Sequence, residues 1–328
     1  MAAKKSFLSL SVLFFLAFLP KMLQATSNPE EDEFQGWYTG PLLAPAGHTM
    51  TPGVINWEPY IFATDDFGFY DNSRRAHSTP DTITINPLLS LTMGLNSFMD
   101  LQFAFQTVYN HKSGRGAFRV ADTTAYLGFQ ILEDKRGSLM PDLRFTLNMT
   151  FPTGQYEKLD PEKNGTDSSG LGTYAPGASL NFQKLIHIYR NHHLRTRLSF
   201  TYTYHIPVHV KGFNSYGGGF MTKGKVYPGN VFVGYFSFEY NFTKNWVFAM
   251  DTQYLYANKT RFSGRPGFNL DGTIASVGKG SSEQWSLAPA LEYNFSAFLG
   301  IIGGVWFSVS GRNAEEFISG AIAVNYAY

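Results

Sequence analysis

The sequence is dominated by segments in which apolar and polar residues alternate one by one. Between residues 193 and 206, for example, Leu198 and Phe200 alternate with Ser199 and Thr201. Successive side chains of a β-strand point to opposite faces, so this period of two predicts a strand with one apolar and one polar face. The pattern recurs and predicts twelve strands, near residues 53–64, 82–94, 97–109, 118–131, 141–151, 171–184, 193–206, 227–241, 245–258, 282–295, 298–309 and 315–328.

The connections between these segments differ in length according to their order. Those after odd-numbered segments are mostly long, at 65–81, 110–117, 152–170, 207–226 and 259–281, with only 310–314 short. Those after even-numbered segments are mostly short. Short turns at one end and long loops at the other are typical of outer-membrane barrels with an even number of strands. We therefore predict an all-β fold, a transmembrane antiparallel β-barrel of about 12 strands, over residues 53–328.

The last segment ends on two aromatic residues of one face, Tyr326 and Tyr328. This ending resembles the C-terminal recognition signal of bacterial outer-membrane β-barrels. It implies that Tyr326 and Tyr328 form an assembly signal and that the barrel-assembly machinery is a partner. In a closed barrel this strand must pair with the strand that opens at Gly53. The alternative is an edge strand of a soluble sandwich.

Charge and composition narrow the possible functions. The chain has 26 basic and 25 acidic residues, which argues against a nucleic-acid partner because such proteins need a basic patch. Charged residues make up only 16% of the chain, below the usual quarter, and aromatic residues also make up 16%. This balance suits a barrel that contacts outer-membrane lipid on one side and water on the other. Cysteine is absent, which excludes disulfides and cysteine metal sites.

The N-terminal residues predict export. Lys4 and Lys5 precede an apolar run at 7–19, and a small residue, Ala25, follows. This order is typical of a signal peptide, residues 1–25, because the run is shorter than the roughly 20 residues of a spanning helix. Residues 26–52 are rich in proline and glycine, which disfavours a regular element and leaves a periplasmic tail or a plug in the barrel as alternatives. The predicted location is the bacterial outer membrane.

The polar face of the predicted strands carries charges. A charge on the lipid-facing side costs about 2–4 kcal/mol near the bilayer midplane, so this face must line the lumen. The predicted lumen-lining residues are Glu58, Asp100, Arg144, Arg195, Arg197, Glu239, Asp251 and Glu292. They could set the solute preference of a polar pore, or they could pair with each other and fill a narrow barrel.

The most distinctive loop lies at 151–177 and contains the motifs FPTGQY and LGTYAPG. It resembles the motif of the MetA-pathway of phenol degradation family of outer-membrane transporters. The resemblance implies a barrel and the passage of small, aromatic or hydrophobic solutes, but it supplies no binding residues. The alternative is that these prolines and glycines only shape an extracellular loop.

Sites for catalysis or metal binding have little support. Outer-membrane phospholipase A is a twelve-stranded barrel with a Ser/His pair, but His192, His193 and Ser199 do not reproduce its arrangement. His205 and His209 would be about 13 Å apart along a strand, too far to share one metal ion. We therefore expect no enzyme activity, cofactor or metal. The expected function is passive passage of small solutes; the alternative is a non-conducting surface barrel whose loops bind a partner or host ligand.

Overall fold

In a computed structural model, the structure describes residues 36–135 and 137–328. The predicted signal peptide, residues 1–25, and residues 26–35 lie outside the described residues. Described strands are β1 (Ile55–Tyr70), β2 (Ala76–Asn96), β3 (Met99–Lys112), β4 (Arg115–Val120), β5 (Thr123–Leu132), β6 (Asp142–Phe151), β7 (Ala175–Tyr189), β8 (His192–Thr203), β9 (Val208–Lys211), β10 (Lys223–Tyr227), β11 (Val231–Asn241), β12 (Trp246–Ala257), β13 (Arg261–Arg265), β14 (Ser282–Asn294), β15 (Leu299–Arg312) and β16 (Ala314–Ala327). A 3₁₀ turn spans Pro161–Lys163. No helix in the described part of the chain is long and apolar enough to cross a membrane.

Antiparallel pairing closes these strands into a barrel of twelve positions. The order β2-β1-β16-β15-β14-β12-β11-β8-β7-β6-β5-β3 closes through the β2–β3 pairing, while β4 and β5 both pair with β3 and share one position. The first and last strands meet as predicted, with Trp57 opposite Tyr326 and Ile55 bonded to Tyr328 through both backbone groups. A closed barrel leaves no open edge, so its wall satisfies its own backbone hydrogen bonds.

The predicted loops 65–81 and 110–117 are wrong in extent. Strands β1 and β2 continue through most of the first loop and leave only a turn at 71–75. Strands β3 and β4 likewise meet at a tight turn, where Ser113 and Gly114 have positive φ values of 50° and 75°. Polar residues suggested loops here because a lipid-facing strand needs an apolar face. Strands that rise above the membrane meet water on both sides, so polar residues no longer mark their end.

Three short strands form a second sheet, which the sequence did not predict. Strands β9, β10 and β13 pair in the order β13-β10-β9 within the connections that follow β8 and β12. The buried side chains Val208, Val210 and Val226 pack against Tyr156 and Tyr216 from the loops. These loops and the small sheet form a folded layer over one barrel opening, which we call the cap. The barrel end opposite the cap carries Tyr328 and is called the terminal end.

The chain segment before the barrel, residues 36–52, lies against inward-facing side chains of the barrel. It begins beside the turn between β11 and β12, where Trp37 donates a backbone hydrogen bond to Lys244 at 2.9 Å. It ends beside β2, where Pro52 and Gly94 form a parallel bridge. All these contacts lie near the terminal end, so the segment crosses that half of the lumen.

Candidate transport pathway through the barrel

The eight charged residues that the sequence places inside the barrel lie in its terminal half. Asp100 and Arg144 lie within the first three residues of β3 and β6, and Glu239 and Glu292 lie within the last three residues of β11 and β14. Neighbouring strands are antiparallel, so these opposite positions fall at one level of the barrel. Six of them are buried beside the segment 36–52, and Glu58 and Arg195 are partly buried. Their role in solute selectivity stays a prediction.

One buried ion pair joins β3 to β6 across β5. The Arg144 guanidinium donates to the Asp100 carboxylate at 2.6 Å, and both side chains are almost fully buried. The other Asp100 oxygen accepts the backbone N–H of Met50 at 3.0 Å. Gly128 lies on β5 directly beneath the pair, where a Cβ atom would collide with both charged groups. The ion pair therefore requires glycine on the intervening strand.

A second charge cluster joins β8 to β11. Arg195 donates from Nε to the Glu239 carboxylate at 2.6 Å and forms a second bond to its other oxygen. Arg197 lies 3.7 Å from the same carboxylate and donates at 2.8 Å to the carbonyl oxygen of Ala44. Arg195 also lies 4.5 Å above the Tyr38 ring. The cluster thus contacts the interior segment through both arginines.

Three further carboxylates accept hydrogen bonds from uncharged groups. Asp251 accepts the backbone N–H groups of Leu43 and Ala44, each at 3.1 Å. Glu292 accepts the backbone N–H of Thr39 at 2.8 Å. Glu58 accepts from the Asn325 side chain at 2.6 Å, across the β1–β16 closure. Charged acceptors form stronger hydrogen bonds than neutral ones, so the Asp251 and Glu292 contacts hold the segment in the lumen.

An apolar contact accompanies these polar bonds. Leu42 is only 4% exposed and packs against small side chains of the barrel wall. The small residues are Ala249, Ala288, Ala290, Ala321 and Ala323. Larger inward residues would fill the lumen themselves, so the alanines leave the space that Leu42 occupies. The terminal half is therefore filled by the segment and not by the wall alone.

An aromatic cavity lies between this filled half and the cap. Its volume is about 250 Å³ and its walls include Phe62, Val108 and Trp306. Thr64, Thr84, Asn86 and Asp66 add polar groups to the same walls. Trp306 meets Phe62 edge to face with ring centroids 6.3 Å apart, and its indole nitrogen donates to Ser286 at 2.9 Å. We call this space the inner cavity.

A wider space connects the inner cavity to the cap. It has a volume of about 500 Å³ and shares Asp66 with the inner cavity. Lys112 and Glu315 bring further charges to its walls, and loop residues 164–166 border it. Asn110 bonds to the carbonyl oxygens of Thr166 and Ser168, each at 3.0 Å. We call this space the outer vestibule.

The motif at 151–177 is part of the cap. The Asp122 carboxylate accepts the backbone N–H of Gly154 at 2.9 Å and that of Leu171 at 2.8 Å, and so joins both halves of the motif. The Tyr156 ring lies against Gly172, which has a φ of 66° and leaves no room for a Cβ atom. The glycines therefore permit the close packing of this loop.

A tyrosine links the motif to the connection after β8. The Tyr216 hydroxyl donates to the Leu171 carbonyl oxygen at 2.6 Å. Burial raises the pKa of Tyr216, so the hydroxyl keeps the proton that it donates. Ser215 adds a side-chain bond to the carbonyl oxygen of Gly170 at 2.7 Å. The cap is thus hydrogen-bonded between loops that are distant in sequence.

Sequence reasoning missed the residues that shape the open space. Phe62 and Trp306 belong to predicted strands but were not predicted to line the lumen, because an inward aromatic residue interrupts the polar face that marks it. Asp66 was placed in the predicted loop 65–81. Asp122 was also missed, although its position between β4 and β5 at a break in the alternation is a signal of a special role. Among the described residues, no group of three or more histidine, aspartate or glutamate side chains is placed to hold a metal ion.

Comparisons with known proteins bear on the fold. No family model and no curated protein matches the sequence, so the family resemblance at 151–177 stays a prediction. The structure is similar to an outer membrane channel from Pseudomonas putida F1, with 12% identity, coverage of 87% of this chain and 100% of that chain, and a TM-score of 0.67.

Two further similarities have lower scores. A mutant of the TodX monoaromatic hydrocarbon channel has 10% identity, coverage of 89% and 95%, and a TM-score of 0.47. The translocator domain of the autotransporter NalP from Neisseria meningitidis has 9% identity, coverage of 85% and 89%, and a TM-score of 0.42. Neither of these two carries an argument about this chain. The similarity to the Pseudomonas putida F1 channel shows that the chain has the closed, twelve-position barrel fold of an outer-membrane protein.

Proposed function

We propose that this protein is a bacterial outer-membrane channel for the passive passage of small solutes, plugged by residues 36–52. The observation that carries the proposal is the open space inside the barrel. The outer vestibule and the inner cavity share Asp66, and the inner-cavity residue Phe62 also packs against the cluster around the plug residue Leu42. The cap faces the outside and the terminal end faces the periplasm, as in other single-chain barrels.

The walls of the inner cavity favour a small solute with an apolar ring. Phe62 and Trp306 offer aromatic faces, which prefer offset or edge-to-face contacts with another ring. An apolar cavity of about 150 Å³ can hold benzene, so a space of about 250 Å³ suffices for one substituted ring. This agrees with the transporter family that the motif at 151–177 resembles, and membership of that family is part of the proposal.

Planar bilayers test the proposal directly. The wild-type protein should show small, discrete conductance steps, because the plug narrows the path. Asp251→Ala removes the acceptor for two plug N–H groups and should increase the open probability or step size several-fold. The control, Asp271→Ala, removes a carboxylate from an exposed loop and should leave conductance unchanged. Neutralising Arg195 or Arg197 should shift the ion selectivity.

The chain contains no native cysteine, so single-cysteine labelling can locate the plug. Leu42→Cys should react with a small water-soluble thiol reagent at least tenfold more slowly than Thr51→Cys, because Leu42 is buried and Thr51 is exposed. Equal labelling rates would contradict the plug. Silent bilayers with both the wild type and Asp251→Ala would contradict the channel.

Two observations favour the alternative, a non-conducting barrel that binds a partner through its loops. The loops at the outer end form a hydrogen-bonded cap, and the terminal half of the lumen is filled. Both features fit a barrel that binds a partner at its surface and does not conduct. Silent bilayers, together with cell-surface adhesion that depends on loops 204–230 and 258–281, would support this alternative over the channel.

A further inference from the structure

The two loops that build the small sheet carry most of the uncompensated positive charge of the protein. Residues 204–230 contain three lysines and no acidic residue. Residues 258–281 contain four lysines and arginines and one acidic residue, Asp271. The whole chain has a net charge of only +1, so the remainder is acidic overall. Such an asymmetry within one protein indicates a surface for an anionic partner.

The small sheet collects these charges on one of its two faces. Lys211 on β9, Lys223 on β10 and Arg265 on β13 lie directly opposite one another in the pairing register. Lys225 and Arg261 follow on the same face, together with His209. The other face holds the valines that pack into the cap. The cationic side chains therefore point away from the loops that the valines contact and toward solvent.

This pairing places three cations side by side, which lowers the stability of the small sheet unless an anion is bound. Side chains directly opposite each other in an antiparallel sheet lie about 4.5–5.5 Å apart, and like charges there repel. Among the described residues, no carboxylate lies within salt-bridge distance of Lys211, Lys223 or Arg265. The protein thus presents a row of three cations without an internal counterion. A ligand with several negative charges would remove the repulsion.

The distance of the small sheet from the barrel rim indicates which kind of anion can reach its cationic face. Only three or four residues separate β9, β10 and β13 from the barrel strands β8, β11 and β12. At about 3.3 Å per residue, the sheet stands within roughly 10–13 Å of the barrel rim. Tyr202 and Tyr204 are exposed where β8 ends, and exposed tyrosines of this kind lie at the level of lipid headgroups. The cationic face therefore lies beside the headgroup layer of the outer leaflet.

We propose that the cationic face of the β9–β10–β13 sheet binds the phosphorylated headgroup of a glycolipid in the outer leaflet. Lys211, Lys223 and Arg265 would contact the phosphate groups, and Lys225 and Arg261 would extend the site along the sheet. The binding would fix the cap against the membrane surface. This proposal does not depend on conduction, because the site lies outside the barrel lumen.

The test uses the full-length protein in an uncharged detergent, titrated with diphosphorylated lipid A and with dephosphorylated lipid A of the same acyl chains. The triple variant Lys211→Gln, Lys223→Gln, Arg265→Gln should bind the diphosphorylated lipid more weakly. Each surface cation contributes about fivefold to the affinity, so the loss of three should weaken binding on the order of 100-fold. Binding by the wild type should also weaken as salt is raised.

A matched control distinguishes binding at this site from a general effect of net charge. The variant Arg75→Gln, Arg115→Gln, Lys135→Gln removes the same charge from exposed positions outside the small sheet and should bind like the wild type. Heat-modifiable gel migration verifies that every variant is a folded barrel. Equal affinity of the triple variant at Lys211, Lys223 and Arg265 and of the wild type for the diphosphorylated lipid would overturn the proposal. Equal affinity for the dephosphorylated lipid would overturn it as well. Unchanged conductance of the same triple variant would show that glycolipid binding is separate from solute conduction.

Discussion

At the residue scale, each interior carboxylate meets a particular donor. Asp100 receives both a guanidinium and a backbone N–H, Glu239 lies between two arginines, and Asp251 receives two N–H groups of the plug. The sequence alternation predicted that these groups point inward. It could not show their pairing, because each pair joins positions at least 40 residues apart or involves a segment with no regular pattern.

The Asp100–Arg144 pair gives a stability prediction. Arg144→Leu leaves the Asp100 carboxylate buried without its cation, so the free energy of unfolding should fall by about 3 kcal/mol. The double variant with Asp100→Leu should be less destabilised than the single variant, because no unpaired charge remains. Urea unfolding in detergent, followed by tryptophan fluorescence, measures both. A single variant as stable as the exposed control Arg115→Leu would contradict a buried pair.

Gly128 gives a second prediction at this scale. Gly128→Ala would push a methyl group into the Asp100–Arg144 pair and should lower the free energy of unfolding by about 1–3 kcal/mol. Gly320 is a matched control, because a Cβ atom there meets nothing within 4 Å on another barrel strand. Gly320→Ala should leave stability unchanged or raise it slightly. Equal unfolding midpoints for the two variants would rule out the predicted clash.

At the scale of elements, two parts of the chain outside the barrel wall, the segment 36–52 and the cap, divide the lumen. The segment 36–52 fills the terminal half and the cap covers the other end, while the inner cavity and the outer vestibule remain between them. The segment is proline-rich, and its pairing with the barrel wall is limited to the bridge between Pro52 and Gly94. Its backbone N–H groups at Thr39, Leu43, Ala44 and Met50 donate to Glu292, Asp251 and Asp100, which lie on three different strands. Its position therefore depends on the finished barrel.

The motif loop gives a prediction at the scale of elements. Asp122→Ala removes the acceptor shared by Gly154 and Leu171, so the two halves of the 151–177 loop should separate more often. Limited trypsin digestion should then cut at Lys158 or Lys163 at least several-fold faster than in the wild type. Glu162→Ala changes an exposed carboxylate in the same loop and serves as the control. Unchanged digestion of Asp122→Ala would show that other cap contacts suffice.

At the scale of the whole molecule, the barrel depends on closure between its first and last strands. Ile55 and Tyr328 exchange two backbone hydrogen bonds, at 2.9 and 3.0 Å, and the rings of Tyr326 and Tyr328 stack with centroids 5.8 Å apart. The exposed rings lie on the lipid-facing side near the terminal end. They are available both to the membrane interface and to an assembly factor, which is the role that we predict for them.

Removal of Tyr328 tests this role. The truncated chain loses two closing hydrogen bonds and one aromatic ring, so the amount of folded protein in the outer-membrane fraction should fall several-fold. Tyr328→Phe keeps the ring and the backbone and should assemble normally. Heat-modifiable migration of the membrane fraction separates folded from unfolded protein. Normal assembly of the truncated chain would argue against the assembly signal.

The sequence by itself determined the barrel, because a period of two is a local property that every strand carries along its own length. The faces of the strands follow from this period, and the lengths of the connections and the aromatic C-terminus add the even number of strands and the meeting of the first and last strands. The length of β1–β4 above the membrane could not be predicted in this way, because polar residues there fit either a loop or a strand in water. Only the tertiary structure decided which charges pair, where residues 36–52 lie and how the β9–β10–β13 sheet aligns its cations. These features depend on contacts between residues far apart in the chain, and such contacts leave no periodic signal in the sequence.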